Sequence, residues 1–380
     1  MLDYFKKSDS ILLGLCLVSS IFGVVLIKSA TAHSGSNSDV IIQSVAIVLG
    51  LFLYFLFSII DTDIFADRSR LLFVFSTLLI MSLMIFGVAG DSGNKSWIRF
   101  GPIGIQPSEI VKIPFIIMMA RLLTYQHQDR GINDKVSVAQ SVALFGFFFC
   151  LIVITSSDLG SALVYFFIFA VMLYLAGISW KWIGAGVGVI AAAAPVLWTF
   201  FLSDYQKKRI LAPYVESIDP YGLDVMWQAN QSKIALASGK LTGQGLFQGA
   251  QTQSGSIPEQ RTDFIFSVAG EELGLIGCLV IILLLVLIIW RCFYVGLRAN
   301  DRQDGLICFG IGAMLIFQTF ENIGMCIGIT PVIGLTLPFF SYGGSSIVML
   351  YASMGIVSGV KMRPKPGIFI NEYNPQNFFE

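Results

Sequence analysis

Ten stretches of this 380-residue chain are each apolar for long enough to cross a bilayer as a helix, which takes roughly 20 residues. They lie near 11–30, 40–60, 71–89, 106–124, 137–154, 159–176, 181–202, 263–290, 305–328 and 344–361. The expected fold class is therefore an all-α integral membrane protein of about ten transmembrane helices. Composition agrees, since 55% of residues are hydrophobic and 13% charged at a mean hydropathy of +0.77, against about a quarter charged in soluble domains.

Orientation follows from where Lys and Arg fall, because short cytoplasmic loops are enriched in them. With both termini cytoplasmic, the inner loops and tails carry Lys6, Lys7, Arg68, Arg70, Arg121, Arg130, Lys135, Lys181, Arg291, Arg298, Arg302, Lys361, Arg363 and Lys365. The short outer loops carry only Lys95 and Arg99. This arrangement places 203–262 outside as the one long loop, between spans 7 and 8. It divides the chain into a membrane domain, 1–362, and a cytoplasmic tail, 363–380. The first apolar run lacks a small-residue processing site and reads as a signal anchor.

Several function classes are disfavoured. The net charge is zero and no basic tract suggests nucleic acid. Six cysteines without CxxC spacing read as small core residues. The two histidines, His33 and His127, fall in loops on opposite sides of the membrane, which disfavours a His-centred triad or a His-rich metal site. No phosphate-cradling GxxxxGK[ST] occurs, so no nucleotide cofactor is expected.

The informative segments are those that interrupt the lipid-compatible pattern. In "GNKSWIRFGPIGIQPSEIVKI", 93–113, Gly and Pro predict an outer turn, with Pro107 in the first turn of the fourth span. Glu109 and Lys112 are three apart on one helix face, either a stabilising ion pair or a functional pair. Trp97 suits an interfacial anchor and is compatible with a substrate platform. The long loop opens with Lys207, Lys208 and Arg209, which can answer anionic headgroups. It is too long to be a mere connection. In "ENIGMCIGITPVIGLTLPFFSYGGSS", 321–346, Pro331, Pro338 and Gly343-Gly344 break regular helix between the last two spans. Irregular backbone at that depth persists only where it is buried or lines a cavity.

"IPEQRTDFIFSVAGEELG", 257–274, places Asp263 at the expected start of the eighth span. With Thr262 as cap, Asp263 enters the first helical turn, where an acid stabilises by roughly 0.3–1 kcal/mol through the helix dipole. At about 100° per residue, Asp263, Ser267, Gly270, Gly274 and Gly277 share a stripe, a small-residue seam for another helix or a lipid chain. Glu271 and Glu272 point elsewhere and read as buried polar contacts that orient the helix.

"QPSEIVK", "DYQKKRI", "IPEQRTDFIFSVAGEELG", "ENIGM" and "LPFFSYGGSS" together resemble the signature segments of the SEDS family, the bacterial shape, elongation, division and sporulation proteins. They occur in the family's order, and two of them look closer to its rod-shape members than to its division members. Glu321 departs from the pattern, standing where a neutral residue is expected. The resemblance implies polymerisation of lipid II into β-1,4-linked glycan outside the cytoplasmic membrane, for cell-wall elongation and cell shape. It also implies a class B penicillin-binding protein as partner and a divalent cation, Mg or Mn, near the pyrophosphate. Asp263 becomes the expected catalytic base. Trp97, Glu109, Lys112, Lys207, Lys208, Arg209, Arg261, Ser341 and Gly343 become expected substrate-binding residues, with the lysines and arginines answering the pyrophosphate. A lipid II flippase or polytopic transporter is the alternative, and a noncatalytic scaffold a third.

Overall fold

The computed structural model describes residues 8–88, 95–101 and 103–363. Lys6, Lys7, Lys365 and the tail from residue 364 onward lie outside the described residues. Helix α1 (Ser10–Ala30) begins at Asp9, whose carboxylate accepts the Leu12 amide at 3.2 Å as an N-cap. Helix α2 (Ser38–Ile59) returns, and the short α3 (Thr62–Asp67) leads into the third crossing, α4 (Ser69–Met81) continued by α5 (Leu83–Phe86).

The expected outer turn is a small antiparallel hairpin, β1 (Ile98–Phe100) with β2 (Ile103–Ile105). Then come α6 (Pro107–Asp129), α7 (Lys135–Ser156), α8 (Leu159–Ala176) and α9 (Trp180–Val196). Helix α9 buries no residue against the rest of the chain. The long loop holds α10 (Asp204–Leu211), α11 (Trp227–Ser238) and the short α12 (Ala250–Ser254). The last crossings are α13 (Ile265–Leu297), α14 (Arg302–Ile327) and α15 (Gly344–Met362).

Nine of the described helical segments are long and apolar enough to cross a membrane. The remaining long helix, α6, has 23 residues but carries Glu109, Lys112 and Arg121, which lower its hydropathy. Its position explains the tolerance. It packs against α4, α7, α8, α14 and α15, so Glu109 and Lys112 face protein instead of lipid.

Helix α13 is interrupted at Gly274, with φ 68° and ψ −164°, backbone angles reserved to glycine. Its freed backbone groups are satisfied by the long loop. The amides of Gln244 and Gly245 donate to the carbonyls of Glu271 and Glu272 at 2.9 and 3.0 Å. Those of Leu275 and Ile276 donate to Lys240 and Leu241 at 2.9 and 3.2 Å. The expected small-residue seam is thus corrected: the kink interrupts the stripe, and Gly270 and Gly274 are covered by the chain's own Leu236 and Leu241, Gly277 by Leu273.

At the opposite end of the bundle, the fully buried Asp9 ties four helices together. Its carboxylate pairs with Arg291 at 2.7 Å and Lys361 at 3.3 Å, and its carbonyl accepts the Tyr54 hydroxyl at 3.2 Å.

Candidate active site

Residues 258–264 run as turns into α13, and the helix begins only at Ile265 with Phe264 as its N-cap. The Thr262 hydroxyl does not cap it; it donates back to Glu259 at 3.2 Å. Asp263 therefore stands just ahead of the helix instead of in its first turn. The reason is tertiary. The carbonyls of three consecutive residues are held by the segment around 322–342: Tyr342 N bonds Arg261 O at 2.8 Å, Ser341 Oγ bonds Thr262 O at 2.5 Å, and Asn322 Nδ2 bonds Asp263 O at 2.8 Å.

The strap that makes these contacts is itself anchored. Ser341 Oγ accepts the Leu337 amide at 2.8 Å. The buried Gln43 of α2 donates to Ser341 O at 3.2 Å and accepts from the Gly343 amide at 3.1 Å. Ser341 and Gly343, expected to meet substrate, are thus committed to holding the strap in place. Sequence reading marked helix breaks within 321–346, and the backbone between α14 and α15, 328–343, is irregular, with Phe339 and Phe340 fully in the core.

Asp263 is half-buried here. Gly334, at φ 75°, packs so close that a Cβ would stand 3.3 Å from Asp263 Oδ2. Desolvation, reinforced by the neighbouring Glu259 carboxylate, pushes the Asp263 carboxyl up to about 7; Arg209 and the Thr262 hydroxyl pull the other way. Asp158 adds a smaller upward push. A carboxyl poised near neutrality can take a proton and release it again, which an ordinary surface aspartate does poorly.

The structure brings one member of the expected basic cluster to this carboxylate. Helix α10 starts with a capping box formed by Ser203 and Gln206, and it presents Arg209 within electrostatic reach of Asp263. Lys207 leans toward Asp204 at 3.6 Å, and Lys208 is exposed. The Tyr214 hydroxyl bonds Ile329 O at 2.9 Å, tying this part of the loop to the strap. Arg261, expected to be a cation free for pyrophosphate, is paired with Asp39 at 2.5 Å and lies over the Tyr342 ring. Lys112 is also corrected in that respect: it is fully buried, with its ammonium 2.5 Å from Glu109.

That ion pair belongs to a wider polar layer. The Tyr165 hydroxyl donates to Ser108 O at 2.7 Å, and Gln106 Nε2 donates to Asp158 Oδ2 at 3.2 Å. Asp158 also accepts from the amide and hydroxyl of Ser161, at 2.9 and 2.7 Å, as the N-cap of α8. Sequence reading missed Asp158. Its signal was the Asp-Leu-Gly-Ser start of an apolar run, a cap pattern that does not by itself mark a site. Trp97 is half-buried, its ring stacked over Gly104 in the hairpin.

Glu271 and Glu272 behave as expected, buried and oriented by hydrogen bonds. Glu271 accepts the amides of Gln251 and Thr252 at 2.7 and 2.8 Å, and Glu272 accepts from Ser29 at 2.7 Å and Gln253 at 3.0 Å. They fasten α12 and α1 to α13. Glu321 is buried beside Asn322, and its Oε1 has no partner among the described residues. Among the described residues no three His, Cys, Asp or Glu side chains converge as a metal cage.

The profile of the FtsW/RodA/SpoVE family, described as cell cycle protein, matches residues 9–365. The chain is 33% identical over 359 residues to the peptidoglycan glycosyltransferase MrdB of Escherichia coli K12, covering 94% of each. It is 33% identical over 373 residues to a probable peptidoglycan glycosyltransferase FtsW of Geobacter metallireducens, covering 96% of this chain and 97% of that one. Among solved structures, a chain of a peptidoglycan synthase complex that coordinates polymerization and crosslinking superposes with a TM-score of 0.78 at 29% identity, over 93% of this chain and 97% of that one. The rod shape determining protein RodA of Thermus thermophilus superposes with a TM-score of 0.68 at 27% identity, over 93% and 96%. The polytopic all-helical fold and these relatives agree: the chain belongs to the FtsW/RodA/SpoVE, or SEDS, family and is a multi-pass peptidoglycan glycosyltransferase of the bacterial cytoplasmic membrane.

Proposed function

We propose that this glycosyltransferase polymerises lipid II on the outer face of the membrane, with Asp263 as general base. Both termini are then cytoplasmic, residues 203–262 form the outer loop, and the chain beyond 362 is a cytoplasmic tail. The observation that carries the reading is the state of Asp263: a half-buried carboxyl raised to about 7, beside a cation, on a backbone fixed by three hydrogen bonds.

In the reaction, the acceptor's GlcNAc 4-hydroxyl oxygen attacks the anomeric carbon of the donor's lipid-linked MurNAc, and its proton passes to the Asp263 carboxylate. The bond from that carbon to the pyrophosphate oxygen breaks, and undecaprenyl pyrophosphate leaves with the electron pair. Direct displacement inverts the α-linked donor to a β-1,4 bond. General-base catalysis supplies about 10²- to 10⁴-fold, so charge stabilisation must supply much of the rest. Arg209 is the cation best placed for it, with Lys207 and Lys208 on the same short helix. The buried Glu109–Lys112 pair acts through the shape of the outer end of α6, and Trp97 borders the same end from the hairpin. Ser341, Gly343 and Arg261 act by holding the strap.

A divalent cation fits this site only in company with substrate. The neighbouring carboxylates of Asp263 and Glu259 offer one or two oxygens, and substrate phosphate would complete the shell, a usual arrangement for magnesium. Such an ion would neutralise charge on the leaving pyrophosphate. The peptidoglycan synthase complex to which this chain is similar supports a cross-linking partner, and a class B penicillin-binding protein is the one we assign. The resemblance to rod-shape members supports a role in elongation.

Purified protein in vesicles loaded with lipid II tests the reading. Lengthening glycan, abolished by Asp263→Asn, is the expected result. Lipid II that changes leaflet without forming polymer would replace it with the flippase reading.

A further inference from the structure

At the end of the bundle away from Asp263, the link between α3 and α4 meets the far half of α6. Arg121 lies more than three turns beyond Glu109 on α6, roughly 18 Å along its axis. Around it opens a cavity of about 420 Å³ lined by Asp67, Arg68, Ser69, Arg70, Leu71 and Arg121, with Ala66 behind them. Three guanidinium groups share this lining with a single carboxylate. Arg121 bonds Asp67 at 2.9 Å, while Arg68 and Arg70 are exposed and make no ion pair with any described residue. The nearby acids are engaged elsewhere, since Asp61 pairs with Arg363 at 3.2 Å and Asp63 accepts from Gln303 at 3.0 Å.

The cavity also opens where the lipid-facing surface begins. Leu71, Val74, Phe75 and Leu78 of α4, and Ile64 of α3, are exposed large apolar side chains in one region of the bundle surface. A ligand that fills the cavity and continues along this face must join an anionic head to apolar chains. We infer that this cavity binds the headgroup phosphate of an anionic phospholipid, whose acyl chains run along the Leu71, Phe75 and Leu78 side of α4. Guanidinium groups suit this task because their planar fork of donors matches phosphate oxygens two at a time. A free phosphate shares the head chemistry but has nothing to lay on the apolar face.

The test uses the full chain purified in neutral detergent, with binding of phosphatidylglycerol followed by native mass spectrometry and by thermal stabilisation, and phosphatidylcholine as the neutral comparison. The wild type should retain phosphatidylglycerol selectively. Arg68→Gln with Arg70→Gln should weaken that retention about 25-fold, at about fivefold per cation near an anionic headgroup. Arg130→Gln with Lys135→Gln, basic positions outside the cavity, should leave it unchanged. Asp67→Asn should strengthen it, because the cavity's one carboxylate repels phosphate; this variant carries the test alone if the double arginine variant does not fold. The inference is overturned if the arginine pair can be removed without loss, if the Arg130 and Lys135 variant loses as much, or if Asp67→Asn weakens binding. Inorganic phosphate that displaces the lipid and stabilises equally would assign the cavity to a soluble phosphate instead.

Discussion

Asn322 holds the backbone of Asp263 in place: its side-chain amide donates to Asp263 O at 2.8 Å and, with its second hydrogen, to Leu335 O at 2.7 Å. One residue near the end of α14 thus fixes both the carboxylate's backbone and the strap behind it. Replacing Asn322 with Ala should orphan the Leu335 carbonyl and leave that of Asp263 only the weak Cys326 thiol at 3.8 Å, at about 1–3 kcal/mol for each that stays buried. Polymerisation of lipid II should then lose turnover more than apparent substrate affinity, because the carboxylate moves while the binding surfaces remain. Steady-state kinetics beside thermal unfolding separates the two effects; unchanged turnover in a destabilised protein would make Asn322 structural only.

Asp263→Asn should abolish most polymerisation and yet raise thermal stability in mildly alkaline buffer. The folded carboxyl titrates near 7, above its ordinary value of 3.8. Folding therefore favours the protonated form. The stability this contributes is complete below the ordinary value and is lost as pH rises through 7. Asn mimics the protonated form at every pH, so its melting temperature should exceed that of wild type at pH 8 and match it near pH 4. Equal melting temperatures at both would mean that the carboxyl is not desolvated.

The rate of polymerisation should rise with pH around a midpoint near 7, as the base becomes ionised. Two neighbours should move that midpoint in opposite directions. Glu259→Gln removes a like charge and should lower it, whereas Arg209→Gln removes an opposite charge and should raise it while also slowing the reaction. A midpoint indifferent to both substitutions would place the titrating group elsewhere.

Lys112→Met should be among the most damaging single changes in α6. It strands the buried Glu109 carboxylate 2.5 Å from where its partner stood, and breaking such a pair costs about 3–5 kcal/mol. Adding Glu109→Gln should restore folding, as seen by gel filtration and thermal unfolding. If that double variant also polymerises normally, the pair serves architecture alone.

Gly274→Ala should destabilise the protein by about 1–3 kcal/mol, because a side chain must adopt backbone angles that only glycine takes readily. The new Cβ would also press on the backbone of Leu241, where the long loop fills the break. Faster exchange of the amides of Gln244 and Leu275 would report the loosened join. Protection as in wild type would show that the kink tolerates a side chain.

The sequence by itself determined the membrane class and the places of the long apolar helices. Apolar length acts locally along the chain, and lipid leaves a helix few alternatives. Even α6 was legible as a helix, although its charges lower its hydropathy, because Pro107 marked its start. The buried roles of Glu271 and Glu272 were legible for a similar reason: a carboxylate in so apolar a run has to find hydrogen bonds within the protein.

Only the tertiary structure decided where Asp263 sits. Local rules favoured Thr262 as cap and Asp263 as a first-turn acid, but three hydrogen bonds from residues 59 or more positions away hold this stretch outside the helix. The same distance in sequence hid the partners of Arg261 and Gln43, the closeness of Gly334, and the contribution of Asp158. A charge's role depends on what stands opposite it. In this chain that partner is brought by folding from another crossing, so Arg209 faces the site while Arg261 is spent on Asp39.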